Sequence, residues 1–206
     1  MDEQMHNTDL KGREVEIPSA SADHFDALAL PPHLVVDQDA LEKTYLNLSR
    51  TLHPDYNSET DQATVVAASA ALNNGYQTLK DTVLLAKYWL ARSGVSLHND
   101  DYKVPPALAM RVFEVQEKLE QLGNSTPDPS ATLESDIEDE RTDITSEIAR
   151  LTDGIAGVFT KWDEIDPDKA SDHPELAQQL KDAVSQINYL TTLIRDIDRA
   201  RSKESA

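Results

Sequence analysis

The chain has 206 residues, with 38 Asp or Glu against 19 Lys or Arg, so its formal net charge at pH 7 is −19. This acidity argues against a general binder of nucleic acids or anionic membranes, because phosphate contacts need clustered Lys and Arg. The absence of cysteine excludes disulfides, Cys-ligated metal sites and thiol catalysis. No apolar run approaches the roughly 18 residues of a membrane span and the first residues lack a signal-peptide pattern, so we expect a cytoplasmic protein.

The N-terminal third predicts a tail followed by short and medium helices. Residues 1–22 are polar and aperiodic, which favours a disordered tail. Asp23 is an N-cap candidate for a short helix that Pro31-Pro32 ends, and Asp37 is the next one, for a helix that Pro54 ends. The second of these helices has one apolar stripe with spacings of a helix face: Leu41, Tyr45, Leu48 and Leu52.

Two more helices follow. The first runs from about residue 61 to residue 79, and its Gly75 costs about 1 kcal/mol relative to Ala, which suggests a close contact at this point. Asp81 is positioned to cap the next helix, over 82–92, which Gly94 ends. The inner face of the first of these helices is formed by Val65, Ala68 or Ser69, Leu72, Tyr76 and Leu79.

The second half predicts a linker over 95–105 and then three amphipathic helices, which make a three-helix bundle over 106–206. The first helix covers about 107–122 and the last begins at Pro174. The middle helix keeps a three- or four-residue apolar rhythm through Leu133, Ile137, Ile144, Ile148, Leu151, Ile155, Val158 and Trp162. The acidic run 134–143 is most simply a solvated helix face. No strand pattern competes, so the expected fold class is all-α.

The most informative local motif is His53-Pro54-Asp55, between the two antiparallel helices of the N-terminal region. Pro54 fixes its own φ and stiffens the connection, while His53 and Asp55 offer hydrogen bonds and charge to a partner. The alternative interpretation is purely structural, with His53 and Asp55 capping helix ends and Pro54 ending a helix.

In this context, with the Phe25 to Leu28 element before it and Asn73-Asn74-Gly75-Tyr76 after it, the arrangement resembles a J domain, the module that activates DnaK-type chaperone ATPases. The segments 84–90 and 110–119, Leu84-Leu85-Ala86-Lys87-Tyr88-Trp89-Leu90 and Met110-Arg111-Val112-Phe113-Glu114-Val115-Gln116-Glu117-Lys118-Leu119, resemble the HscB family. A J domain followed directly by a three-helix bundle is also the layout of that family.

The resemblance implies an all-α fold, with a J domain over 23–94 and a C-terminal bundle. It implies a co-chaperone of iron–sulfur cluster assembly, which brings an IscU-type scaffold protein to a DnaK/HscA-type chaperone and stimulates its ATPase. Such a protein does no covalent chemistry, so we expect no enzymatic activity. Two alternatives stay open: a J-domain co-chaperone with a different client, and a helical enzyme or structural bundle with a chance His-Pro-Asp.

The resemblance also assigns two sets of binding residues. The chaperone-binding set is His53, Pro54, Asp55, Lys43 and Arg50. Lys43 and Arg50 are seven residues apart on one helix face, where the alternative is two ordinary surface charges. Leu85 stands where the family often has Arg.

The set implied for scaffold binding is Met110, Phe113, Glu114, Glu117 and Tyr189. The first four are spaced to share one helix face, and apolar anchors beside carboxylates suit a docking surface. Since Leu190 falls on the inner stripe of the last helix, we expect Tyr189 to point outward. The alternative for Met110 and Phe113 is ordinary bundle core, and Ala109 and Gln121 depart from the family pattern.

The sequence predicts no cofactor. The six histidines are scattered, without the spacing of a zinc site. Neither of the glycine-rich phosphate-binding motifs, G-x-x-x-x-G-K and G-x-G-x-x-G, occurs. Trp89 and Trp162 are expected to serve packing.

Overall fold

A computed structural model of the protein describes residues 6–8, 14–16, 23–52, 62–97, 104–124, 131–165 and 173–204. The predicted all-α class is confirmed, because helices form the body of the described chain. In chain order the elements are β1 (His6–Thr8), β2 (Glu14–Glu16), α1 (His24–Ala27), α2 (Gln38–Thr51), α3 (Gln62–Lys80), α4 (Thr82–Arg92), α5 (Pro106–Asn124), α6 (Ala131–Asp163) and α7 (Pro174–Glu204).

The two short strands differ from the predicted disordered tail. His6–Thr8 pairs antiparallel with Glu14–Glu16, and Asn7 lies opposite Val15. Three residues are too few for an alternating pattern to be recognised in a sequence, although Thr8 and Val15 are β-branched and favour strands. A two-stranded ribbon alone is only marginally stable in water.

Three aspartates begin helices as their sequence positions predict. Asp23, Asp37 and Asp81 are the N-caps of α1, α2 and α4, and each carboxylate accepts hydrogen bonds from backbone N–H groups two or three residues further on. Each cap satisfies helix donors that would otherwise have no partner, which typically stabilises a helix by about 1 kcal/mol.

Two helices end in the same left-handed turn with different residues. After α4, Gly94 has φ +74° and Val95 donates to the Leu90 carbonyl at 2.9 Å. This is the Schellman motif, whose left-handed position favours glycine. After α1 the corresponding bond is 3.0 Å, but the left-handed position holds Ala29 with φ +50°.

Helices α2 and α3 form an antiparallel hairpin held by aromatic contacts. The rings of Tyr45 and Tyr76 stack with centroids 4.1 Å apart, and the Tyr45 hydroxyl donates to Asn73 Oδ1 at 2.9 Å. Gly75 faces α1, since a Cβ there would come within 3.2 Å of the His24 carbonyl oxygen. The close contact predicted at Gly75 is therefore confirmed.

The core is continuous from the N-terminal helices, α1–α4, into the bundle, α5–α7. One cluster of buried residues combines side chains of α1–α4 with side chains of α6 and α7. The contribution of α6 and α7 to this cluster includes Ile155, Val158, Phe159, Trp162, Leu176, Leu180, Val184 and Ile187. A second cluster lies among α5, α6 and α7. The boundary between the two regions is therefore a packed apolar interface.

Ion pairs between the bundle helices correct the interpretation of the acidic run 134–143. Arg111 of α5 lies between two α6 carboxylates, bonded to Glu140 and, at 2.6 Å, to Glu147. Glu138 pairs with Arg201 of α7. The run is therefore not simply a solvated face, because Glu138 and Glu140 are partly buried and paired with arginines that are distant in sequence. Sequence periodicity alone does not reveal such pairs between helices.

Candidate protein-docking sites

The His53-Pro54-Asp55 motif lies outside the described residues. The helices on either side are described: α2 ends at Thr51 and α3 begins at Gln62. The two helices pack against each other, and the motif lies between them in the sequence. Its three residues stay predictions.

The outward face of α2 carries the two basic residues expected for chaperone binding. Lys43 and Arg50 are both exposed. Leu46 lies between them in sequence, three residues after Lys43 and four before Arg50, and its side chain is 45% exposed. Since residues spaced by three and four share a helix face, these side chains form one strip on the side opposite the buried Leu41.

The outward face of α5 carries four of the five residues expected for scaffold binding. Met110 is 63% exposed and Phe113 is 71% exposed, while Glu114 and Glu117 are also exposed. The buried face of α5 is formed by other residues: Leu108, Val115 and Leu122. Met110 and Phe113 are therefore not bundle core, which removes the structural alternative for these two side chains.

Tyr189 differs from its expected orientation. Its side chain is half-buried and packs on the second core cluster, beside the fully buried Leu190. Helix α5 contributes Leu108 and Val112 to the same cluster. The expectation that Tyr189 points outward is therefore only partly right, because it occupies the flank of α7 rather than its solvent side.

The structure brings the four α5 residues together, whereas Tyr189 lies on a different helix, α7. Met110, Phe113, Glu114 and Glu117 share one face of a single helix. Helices α5 and α7 are in contact, for example where Gln116 Nε2 donates to Asp196 Oδ2 at 3.4 Å. The two candidate faces, on α2 and on α5, belong to different regions of the molecule.

Leu46 was not among the residues predicted for either site. The sequence did contain one indication, because Leu46 is a large apolar residue that falls outside the apolar stripe of its helix. That stripe is formed by Leu41, Tyr45, Leu48 and Leu52. Three other exposed apolar side chains are Val35, Val66 and Leu84. A single exposed apolar residue is ordinary on a protein surface, so only the position of Leu46 between two cations makes it informative.

The carboxylate of Asp23, at the start of α1, contacts side chains of α4. Burial favours a raised pKa for Asp23, but hydrogen bonds from the Tyr88 hydroxyl and the Phe25 amide, together with Arg92, outweigh it and lower the pKa. Arg92 also forms an ion pair with Asp23. These contacts fasten the start of α1 to α4.

Neither a metal site nor a membrane span is found in the described part of the chain. Among those residues no group of three His, Asp or Glu side chains is placed to hold a metal ion. None of the described helices combines the length and the hydropathy needed to cross a membrane.

Comparisons with known proteins identify relatives of this chain. No protein-family model matches the sequence. A protein of Pseudoalteromonas atlantica named as a co-chaperone HscB homolog is 30% identical over 162 residues, which cover 77% of this chain and 88% of the relative. The chain belongs to the HscB co-chaperone family. A Shewanella woodyi homolog of the same name is 29% identical over 153 residues, which cover 72% of this chain and 85% of the relative.

Two solved HscB structures share the fold. The chaperone HscB of Vibrio cholerae has a TM-score of 0.59 at 20% identity, with 88% of this chain and 99% of that chain covered. The human co-chaperone HscB has a TM-score of 0.64 at 18% identity, with 97% and 92% covered. The expected HscB architecture is thus confirmed, and family membership assigns this chain a co-chaperone role.

Proposed function

We propose that this protein binds an IscU-type scaffold of iron–sulfur cluster assembly through α5, delivers it to a DnaK/HscA-type chaperone in the cytoplasm, and stimulates the ATPase of that chaperone. The observation that carries the proposal is the exposure of Met110 and Phe113 on the face of α5 opposite its buried residues. Large apolar side chains that project from a helix among carboxylates are typical anchors for a protein partner.

The α5 face supports protein binding better than small-molecule chemistry. Its two apolar side chains stand on a convex helix surface, whereas small ligands bind in concave pockets. Glu114 and Glu117 place carboxylates beside these anchors and suit a partner with basic side chains. Tyr189, which is half-buried on α7, is assigned to the same contact as a further aromatic side chain.

The chaperone contact is assigned to His53, Pro54 and Asp55 with the strip of Lys43 and Arg50. Two exposed cations on a chain of net charge −19 give local attraction to an acidic surface, although overall repulsion slows the encounter. The protein itself does no covalent chemistry. It favours the hydrolysis-competent arrangement of the chaperone by binding that arrangement more tightly.

The test is steady-state ATP hydrolysis by the cognate DnaK-type chaperone, with this protein alone, with scaffold alone and with both. Stimulation beyond the sum of the separate effects is expected when both are present. His53→Gln is expected to abolish stimulation while the circular dichroism spectrum is unchanged. Full stimulation by this variant would refute the J-domain assignment.

The scaffold contact is tested by alanine substitution at Met110, Phe113 and Tyr189. Scaffold binding should weaken by at least about 2–4 kcal/mol, the usual cost of truncating central anchors, while stimulation without scaffold is kept. Val66→Ala with Leu84→Ala is the matched control, because both residues are also exposed apolar side chains. Unchanged scaffold affinity in the triple variant would favour a J-domain co-chaperone with a different client.

A further inference from the structure

The apolar interface between the N-terminal helices and the bundle contains an unusual polar contact. Asp163, the last residue of α6, directs its carboxylate at the segment that joins α1 to α2. Its Oδ1 accepts from the Leu34 amide at 2.9 Å and its Oδ2 accepts from the Val35 amide at 2.7 Å. Two backbone donors on two oxygens fix both the distance and the direction of the contact.

Elsewhere in this interface, Lys87 Nζ of α4 donates to Asn188 Oδ1 of α7 at 2.8 Å between exposed side chains, whereas the buried contacts beside Asp163 are less directional. Next to Asp163, Trp162 meets Trp89 of α4 edge to face, with ring centroids 6.0 Å apart. Within the described residues, the indole N–H groups of both are buried without a hydrogen-bond partner. Apolar burial is favourable but has no preferred direction. The carboxylate of Asp163 therefore supplies orientation that the tryptophan pair does not.

We propose that Asp163 is a positioning residue that sets the angle between the chaperone-docking hairpin, α2 and α3, and the scaffold-docking face of α5. The segment it holds leads directly into α2, through the buried Leu34 to the N-cap Asp37. Asp163 itself belongs to the bundle. This inference rests on the proposed function, since the angle matters when chaperone and scaffold are bound together.

The proposed role of Asp163 affects how chaperone and scaffold act together on this protein, and it does not affect the binding of either partner alone. A protein that holds two partners in one geometry lowers the entropy cost of bringing them together. If the hairpin can swing, each docking face still binds its own partner, but the scaffold is delivered over a range of positions. Loss of Asp163 is thus expected to reduce synergy and to leave stimulation without scaffold intact.

The test uses Asp163→Asn, which keeps the size of the side chain but replaces one acceptor oxygen by an NH₂ group facing a backbone N–H. Asp153→Asn is the matched control, because Asp153 is exposed on the same helix. The chain has no cysteine, so Asn47→Cys on α2 with Glu120→Cys on α5 gives a unique pair of spin-label sites. Distances between the labels are measured in the intact protein without partners.

Asp163→Asn is expected to broaden or displace the distance distribution, and the control is expected to leave it unchanged. In the ATPase assay the synergistic increment should fall by about 2- to 30-fold, the usual range when a coupling residue is changed. Stimulation without scaffold should stay at the wild-type level. Asp163→Glu, which keeps both acceptor oxygens, should recover part of the increment.

Several results would overturn the proposal. An unchanged distance distribution in folded Asp163→Asn would show that the other contacts of the interface fix the angle. A changed distribution with unchanged synergy would show that the angle is irrelevant to delivery. A parallel fall of both activities would indicate a loss of folded protein instead of positioning. Absence of synergy in the wild type would refute the proposed function, while the distance measurement would still test Asp163.

Discussion

The left-handed turn after α1 gives the sharpest stability prediction, because its residue is alanine. Ala29 has φ +50°, a conformation that costs a residue with a Cβ about 1–2 kcal/mol. Glycine removes this strain but adds about 0.4–1 kcal/mol of unfolded-chain entropy. Ala29→Gly is therefore expected to stabilise the protein by about 0.5–1 kcal/mol. For a chain of this length that corresponds to a rise in Tm of about 1–4 °C.

Urea unfolding followed by circular dichroism measures this difference, and α4 supplies the matched comparison. Gly94→Ala should destabilise the protein by about 1 kcal/mol through φ +74° alone, because a Cβ there meets no atom within 4 Å. Ala149→Gly, at an exposed position within α6, should cost about 1 kcal/mol as an ordinary helix substitution. If Ala29→Gly destabilised the protein as Ala149→Gly does, the assignment of strain to Ala29 would be wrong.

Three further predictions concern other contacts. Because the pKa of Asp23 is lowered on folding, its stabilising effect is present above the unfolded pKa of about 3.9 and is lost as the pH falls through the folded value. Asp23→Asn should therefore destabilise at pH 7 and converge with wild type in acid titrations. Gly75→Val should cost about 1–3 kcal/mol in urea unfolding by overpacking against α1; no loss would contradict the close contact. Ile155→Ala should cost about 2–5 kcal/mol and shift fluorescence and circular dichroism transitions together, since Ile155 lies in the shared core. Separate fluorescence and circular dichroism transitions would show that the N-terminal helices and the bundle do not unfold as one cooperative unit.

Much of the fold could be predicted because its signals are local. Helix starts followed from Asp23, Asp37 and Asp81, whose carboxylates bond the nearest amides. Periodicity placed the long helices. The observed α5 continues to Asn124, two residues beyond the predicted end near residue 122. Helix ends fray over one or two residues, which sequence patterns do not resolve.

The site was only partly predictable, because exposure depends on how helices are arranged in space. The spacing of Met110 and Phe113 showed that they share a face but not whether that face is buried. Tyr189 shows the opposite error, since a residue next to an inner-stripe position can lie on a flank against another helix. The Asp163 contact joins residues more than a hundred positions apart, and no local pattern signals it.

The two carboxylates around Arg111 have a consequence for the kinetics of binding. Glu140 and Glu147 lie two turns apart on α6. The Arg111 guanidinium bonds to both carboxylates and so restrains α5 from sliding along its own axis. A slide of α5 by one turn, about 5.4 Å, would break both bonds. The backbone that carries Met110 and Phe113 is thus held in position before any partner binds, while the two side chains are exposed. Association at this face is therefore expected to proceed in one kinetic phase, with an observed rate that rises linearly with partner concentration.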